Sequence, residues 1–197
     1  MTSDAKLYGL VLSGGKSTRM GEDKGLIQYY DVPQREHLYH MLDTVCDRTF
    51  LSIRKDQESE VPERFKTITD RDDYRGPYNG LLSAHIEYPK VAWLVLACDL
   101  PLMDLEAITE LIAARNPNKV ASAFADAENP LPEPLCAIWE PDALRQSIAY
   151  LKAGKGTCPR KFLINADVQL VFPTRKEVLL NANSPIDYKV ALSKLIP

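Results

Sequence analysis

The residues best equipped for chemistry lie between positions 12 and 24. There the apolar run Leu7 to Leu12 breaks into Ser13-Gly14-Gly15 and then into the cations Lys16, Arg19 and Lys24. Adjacent glycines let a backbone turn sharply and bring its N–H groups close to a ligand, which a Cβ would prevent. Cations gathered in one loop complement phosphate, so a polyphosphate is the expected guest, although a glycine pair after a strand also serves as an ordinary turn. The spacing is neither Gly-x-x-x-x-Gly-Lys-Ser/Thr nor Gly-x-Gly-x-x-Gly, so neither the Walker loop nor the dinucleotide fingerprint is present.

Two carboxylates stand where strands are expected to end. Asp70 follows the short apolar stretch 65–69 and precedes Gly76-Pro77, and a helix is expected from there to about Glu87. Asp99 follows the most strand-like run, 91–97, in Cys98-Asp99-Leu100-Pro101. A carboxylate at the carboxyl end of a strand faces the side where open α/β sheets bind ligands. Asp99 can hold Mg²⁺ there, since that ion takes one or two carboxylates together with substrate phosphates and water. Its competing role, capping the helix that begins near Leu105, is better filled by Asp104.

The elements that must position these groups follow from the hydrophobic pattern. Residues 7–12 read as a strand buried on both faces, being short, Leu/Val-rich and ended by glycine. Further strands are expected at 49–53, 65–69, 119–124, 135–139 and 168–172. Helices are expected at 35–46, 105–114 and 141–152, with a last one started by Pro185 and capped by Asn183 or Ser184. The prolines of 125–135 forbid helix and suit an ordered extended loop. Lys155, Arg160 and Lys161 follow the helix that stops at Gly154. They are either partners of its carboxyl end or an anion site.

Composition narrows the function further. A chain of 197 residues can bury a sizeable core without disulfide or metal, and 1–197 reads as one domain. A net charge of −3 gives no sign of a nucleic-acid partner, so the basic loop is a local feature. Cys46, Cys98, Cys136 and Cys158 are scattered, with no Cys-x-x-Cys pair, and Cys98 in its apolar run reads as a buried hydrophobe. His37 and His40 share a helix turn, but no third metal ligand is in sight. The amino terminus lacks a hydrophobic signal region and no apolar run reaches membrane-spanning length, so a cytoplasmic protein with no membrane partner is expected.

The string Leu12-Ser13-Gly14-Gly15-x-Ser17-x-Arg19-Met20-Gly21-x-Asp23-Lys24 resembles the signature loop of the molybdenum cofactor guanylyltransferase family. Thr69-Asp70…Gly76-Pro77-x-x-Gly80, Cys98-Asp99-Leu100-Pro101 and Asn181-Ala182-Asn183-Ser184-Pro185 resemble its later motifs, in order. The resemblance implies an α/β fold: a doubly wound, mostly parallel sheet with helices on both faces, of the Rossmann-like nucleotidyltransferase type. It implies that GMP passes from GTP to the terminal phosphate of molybdopterin with Mg²⁺, other cofactor-biosynthesis proteins serving as possible partners. It places Leu12, Ser13, Gly14 and Gly15 on GTP through the backbone, Arg19 and Lys24 on its phosphates, Asp70 at the nucleoside and Asp99 on the metal. Asn181 and Asn183 fall in the same cleft, and Lys155, Arg160 and Lys161 fall on the pterin side. The family often carries an asparagine after the second strand where this chain has Ser52, and Ser52 would take over that nucleotide contact. Its segment 129–134 is also richer in proline than the family pattern.

Three other readings compete. A cytidylyltransferase acting on the same cofactor usually has Ala-Ala-Gly and Pro-Lys where this chain has Ser13-Gly14-Gly15 and Asp23-Lys24. A sugar-phosphate nucleotidyltransferase has a longer loop ending in Pro-Lys. A nucleotide-binding adaptor without turnover has no need of Arg19, Lys24 and Asp99 together.

Overall fold

The computed structural model describes residues 5–15 and 23–195. Its centre is strand β1, Leu7–Leu12, whose apolar residues are nearly all buried. Parallel partners flank it, β2 (Arg48–Ile53) on one side and β4 (Ala92–Ala97) on the other. Beyond β2 lies the short β3 (Thr67–Thr69), again parallel. On the far side β6 (Cys136–Trp139) runs antiparallel between β4 and β5 (Ala121–Phe124), and β7 (Val168–Val171) closes the sheet parallel to β5. The order β3-β2-β1-β4-β6-β5-β7 is mostly parallel, as expected.

Register decides where chemistry can occur. Leu12 is level with Ser52 on β2 and with Ala97 on β4, while Ile53 is level with Thr69 on β3. Four chain segments therefore leave the sheet side by side: Ser13-Gly14, Arg54, Asp70 and Cys98-Asp99. The chain winds outward from β1 through β2 to β3, then crosses back to place β4 on the other side of β1. Such a reversal opens a crevice outside the strands' carboxyl ends.

Helices cover both faces, and each face has its own apolar cluster. On one, α1 (Gln34–Asp43) and α3 (Leu105–Ala113) press Leu38, Leu42, Ile108 and Leu111 onto Val11, Leu51 and Leu94. On the other, α2 (Tyr78–Glu87), α4 (Pro141–Lys152) and α5 (Pro159–Ile164) bring Leu81, Leu144 and Phe162 to Leu10, Trp93 and Trp139. A smaller cluster seats α6 (Pro185–Leu195) on the segment after the glycine loop, joining Tyr29, Leu102, Ala182 and Ala191. Among the described residues no helix is long and apolar enough to cross a membrane.

Departures from the expected elements are local. The first helix stops at Asp43 and not at residue 46, because Thr44 and Val45 bond back three residues, to Met41 and Leu42, which tightens the last turn. The charged segment after β2 contains a 3₁₀ turn, Lys55–Glu60. The short α5 was not foreseen, although Pro159 at its first position and the buried pair Phe162 and Leu163 account for it. Asp104 does cap α3, accepting the amide of Ala107 at 2.9 Å.

Helix α2 meets the sheet without room to spare. A Cβ on Gly80 would sit 2.1 Å from Ser52 Oγ and 2.9 Å from Leu12 Cδ2. Gly80→Ala is expected to destabilise the fold by about 1–3 kcal/mol, since overpacking forces the backbone apart. Urea melts of the variant beside wild type check this.

Candidate functional site

The glycine loop leaves β1 at Ser13, whose amide donates to the carbonyl of Ser52 at 3.0 Å. Gly14 then passes against Asp70 so closely that a Cβ would lie 2.6 Å from Asp70 Oδ2. A side chain at position 14 would displace the carboxylate, which is why a glycine is needed there. The loop returns at Asp23, whose Oδ1 accepts the Gly25 amide at 2.9 Å, and Gly25 in turn accepts the Arg35 amide at the start of α1. Arg19 lies outside the described residues.

Strands β2 and β3 contribute Ser52 and Asp70. Ser52, 1% exposed, donates its hydroxyl to Asp70 Oδ1 at 2.7 Å. Burial pushes the Asp70 carboxyl up, and the Ser52 bond only partly opposes it. The polar loop beyond folds back on the start of α2. Asn79 Nδ2 donates to Asp72 Oδ1 at 3.1 Å, and Asp72 and Gly76 take positive φ angles of 59° and 62°. Asp70 thus closes one end of the crevice.

The other end is built around Lys24. Its ammonium lies 3.7 Å from Asp99 Oδ2 and donates to the side-chain oxygen of Asn183. Burial raises the Asp99 carboxyl above the usual range, and the neighbouring Lys24 draws it back only in part. Asn183 is brought there by two ties: Ala182 donates its amide to the Asp99 carbonyl at 2.8 Å, and Asp187 Oδ2 accepts the Asn183 amide at 3.0 Å at the start of α6. Both ends belong to one cavity of about 640 Å³, walled by Leu12 to Gly15, Asp23 to Gly25, Ser52, Asp70, Asp99 and Asn183. A cleft lined by the glycine-loop backbone, by Lys24 and Arg54 and by carboxylates at both ends fits a nucleoside triphosphate.

Residues 9–169 match the family model of the MobA-like NTP transferase domain. A molybdenum cofactor guanylyltransferase of Ectopseudomonas mendocina is 30% identical over 179 residues, spanning 89% of this chain and 87% of its own length. The chain belongs to this transferase family. The molybdenum cofactor biosynthesis bifunctional protein of Synechocystis is 41% identical over 187 residues, and the match covers 94% of this chain but 54% of that relative. In fold the chain is similar to molybdopterin-guanine dinucleotide biosynthesis protein A from Archaeoglobus fulgidus. There the TM-score is 0.78 at 19% identity, covering 95% of this chain and 98% of the other.

Other sequence-predicted positions of the transferase fall differently. Arg160 lines a second cavity of about 390 Å³, with Glu133, Leu135, Thr157 and Cys158. Pro77 and Leu135 border both cavities, so the two adjoin. Arg160 is paired there with Glu133, whose carboxyl burial raises despite that partner. Lys155 and Lys161 are exposed and line neither cavity. Asn181 is also exposed, and its amide turns back to the Leu179 carbonyl at 3.3 Å. The structure thus separates Asn183 from Asn181 and Arg160 from its two lysine neighbours.

The sequence reading of the transferase missed Arg54, Gln57, Asp72, Asn79 and Glu133. Arg54, Asp72 and Asn79 line the main cavity, and Gln57 lies behind the glycine loop. Asn79 sat at the start of an expected helix, and the others sat in segments read as polar surface or loop. The one available signal was position, since each follows a strand on its ligand-facing side. Cys98 is buried as expected, and burial also pushes its thiol up. His37 stacks on Tyr30 at 3.7 Å, which gives it a packing role.

Proposed function

We propose that the chain transfers GMP from GTP to the terminal phosphate of molybdopterin, with Mg²⁺, releasing pyrophosphate. One observation carries this: the glycine loop, Lys24 and Asp99 converge on a single cavity, beside a second one that holds Arg160. The named guanylyltransferase relatives support guanine as the base and molybdopterin as the acceptor. Residues 1–197 are read as one nucleotidyltransferase domain.

In the proposed step an oxygen of the acceptor monoester attacks the α-phosphorus of GTP, and the bond between that phosphorus and the β-phosphate bridging oxygen breaks. The products are a diphosphate linking pterin to guanosine, and pyrophosphate. A phosphate monoester is already ionised at neutral pH, so no general base is needed. What the chain must supply is alignment and relief of charge repulsion. Lys24, with Arg19 as the expected second cation, offsets the charge that collects on departing pyrophosphate. Asp70 and Ser52 close the nucleoside end, and Arg160 receives the acceptor phosphate by exchanging Glu133 for it.

The residues suit magnesium. Asp99 follows β4 by two residues and lines the cavity, and the described residues hold no group of three or more His, Cys, Asp or Glu that could bind a metal. A cation there would take one carboxylate and complete its shell with phosphates and water, which is the habit of Mg²⁺. When bound, it would neutralise charge on the α-phosphate. Asp99 would hold it, with Lys24 free to turn to the phosphates.

Pyrophosphate release from GTP, CTP or a sugar 1-phosphate with its nucleotide, each offered with Mg²⁺ and its acceptor, tests the proposal. Release with GTP and molybdopterin, lost on chelation, is expected. Preference for another pair points to a different transferase, and tight GTP binding without release points to an adaptor. Arg160→Glu is expected to raise the KM for molybdopterin at least tenfold with the KM for GTP unchanged. Equal changes in both, or none, would remove Arg160 from the acceptor side.

A further inference from the structure

The glycine loop is held from behind by two residues of the turn after β2. Arg54 Nη1 donates to the carbonyl of Gly14 at 2.9 Å and to that of Gly15 at 3.5 Å, while Nε and Nη2 grip Asp56 at 2.9 and 3.2 Å. Gln57, 1% exposed, donates Nε2 to the carbonyl of Ser13 at 3.2 Å and to the Asp23 carboxylate, and its Oε1 accepts the Arg54 amide at 2.8 Å. Carbonyls of one loop stem and a side chain of the other are thus fastened to the same short turn. Every polar atom of the Gln57 side chain is engaged in doing so.

The consequence is stereochemical. Among the described residues no peptide bond is cis, and in a trans peptide the C=O of one residue and the N–H of the next point in opposite directions. Drawing the Ser13 and Gly14 carbonyls toward the turn therefore directs the Gly14 and Gly15 amides away from it. Neither amide has a partner among the described residues, and both glycines line the large cavity. Consecutive unpaired amides on a concave wall form an anion seat.

We propose that Gln57 and Arg54 are positioning residues for the triphosphate, acting through the loop to aim the Gly14 and Gly15 N–H groups at its phosphates. The inference rests on the nucleotidyl-transfer reading and deepens it by naming what shapes its phosphate seat. A turn that merely supported the fold would also bury a glutamine. It would have no reason to take the carbonyl of each peptide whose N–H faces the cavity.

Inorganic tripolyphosphate separates the two, because it carries neither base nor acceptor. Titrations of the full chain with tripolyphosphate and with GTP would compare wild type, Gln57→Met, Gln57→Glu and Arg54→Leu, with Lys55→Ala as a control on the same turn. Gln57→Met and Arg54→Leu are expected to weaken both ligands at least tenfold and to raise the KM for GTP, leaving the KM for molybdopterin unchanged. Gln57→Glu, which sets an acceptor against the Ser13 carbonyl and the Asp23 carboxylate, is expected to be worst. Lys55→Ala is expected to match wild type, and Arg54→Lys, which keeps a donor for Gly14, to recover part of the loss. In ¹⁵N spectra the Gly14 and Gly15 amides of the wild type are expected to shift on adding tripolyphosphate.

Folded variants with wild-type affinity for tripolyphosphate would overturn the proposal, as would wild-type Gly14 and Gly15 amides that do not respond. If Gln57→Met fails to fold, the Arg54→Leu and Arg54→Lys pair decides in the same way. A wild type that binds tripolyphosphate with shifted amides, yet transfers no guanylyl group, leaves the brace standing and removes only the assigned reaction.

Discussion

Asp99→Asn is expected to lower turnover at least a hundredfold while leaving the protein folded and no less stable at neutral pH. The catalytic loss follows from placing Asp99, the cavity-lining carboxylate just beyond β4, at the proposed metal, where removing such a group costs about 3 kcal/mol. The stability claim follows from the direction of its pKa. Burial raises the Asp99 carboxyl, and Lys24 at 3.7 Å only partly offsets this. A carboxyl raised in the folded state favours folding while it is protonated, below its unfolded value of about 4, and that contribution disappears as pH climbs through the folded value. Once ionised, Asp99 therefore works against the fold, and asparagine removes that penalty. The melting temperature of the variant minus that of wild type is expected to grow as pH rises above about 4, read by thermal melts beside a pyrophosphate-release assay. Wild-type turnover in the folded variant would refute the metal assignment. A clear loss of stability at pH 8 would show that the ion pair with Lys24 outweighs burial.

Much of the fold could be read from local pattern because its central strands are buried on both faces. Leu7–Leu12 and Ala92–Ala97 are continuous apolar runs that end in glycine or Asp-x-Pro, so both their extent and the chemistry at their carboxyl ends show in the letters. The reversed direction of β6 does not show, since a run such as Cys136–Trp139 reads alike in either orientation and only its partners decide. Arg54 and Gln57 escaped for a different reason. A buried polar side chain that satisfies its hydrogen bonds has no hydropathy signature, and a charged stretch looks like surface. Asn183 needed the fold as well, because it meets Lys24 across 159 positions. Resemblance to the family motifs named it together with Asn181, but only the tie between Ala182 and the Asp99 carbonyl shows which asparagine faces the cleft.

Lys24→Ala is also expected to cost at least a hundredfold in turnover, but with the opposite effect on stability. The ammonium is shared between the Asp99 carboxylate and the Asn183 oxygen, so it holds the ends of β4 and of the segment before α6 together. Without it the buried Asp99 loses the group that draws its carboxyl down, and that carboxyl rises further. The variant is then expected to be less stable than wild type while Asp99 is ionised, and to recover much of the difference as pH falls and Asp99 takes up a proton. Lys24→Arg keeps the charge and should keep stability, while its broader head fits the same two acceptors and a phosphate less well. Combining Lys24→Ala with Asp99→Asn isolates the effect on stability. The asparagine should restore stability at high pH, because no carboxylate is left unpaired, and should restore no turnover, because both the proposed metal ligand and the cation on the phosphates are gone. If the double variant instead regains turnover, neither Asp99 nor Lys24 is needed at the reacting phosphates, and both assignments fall.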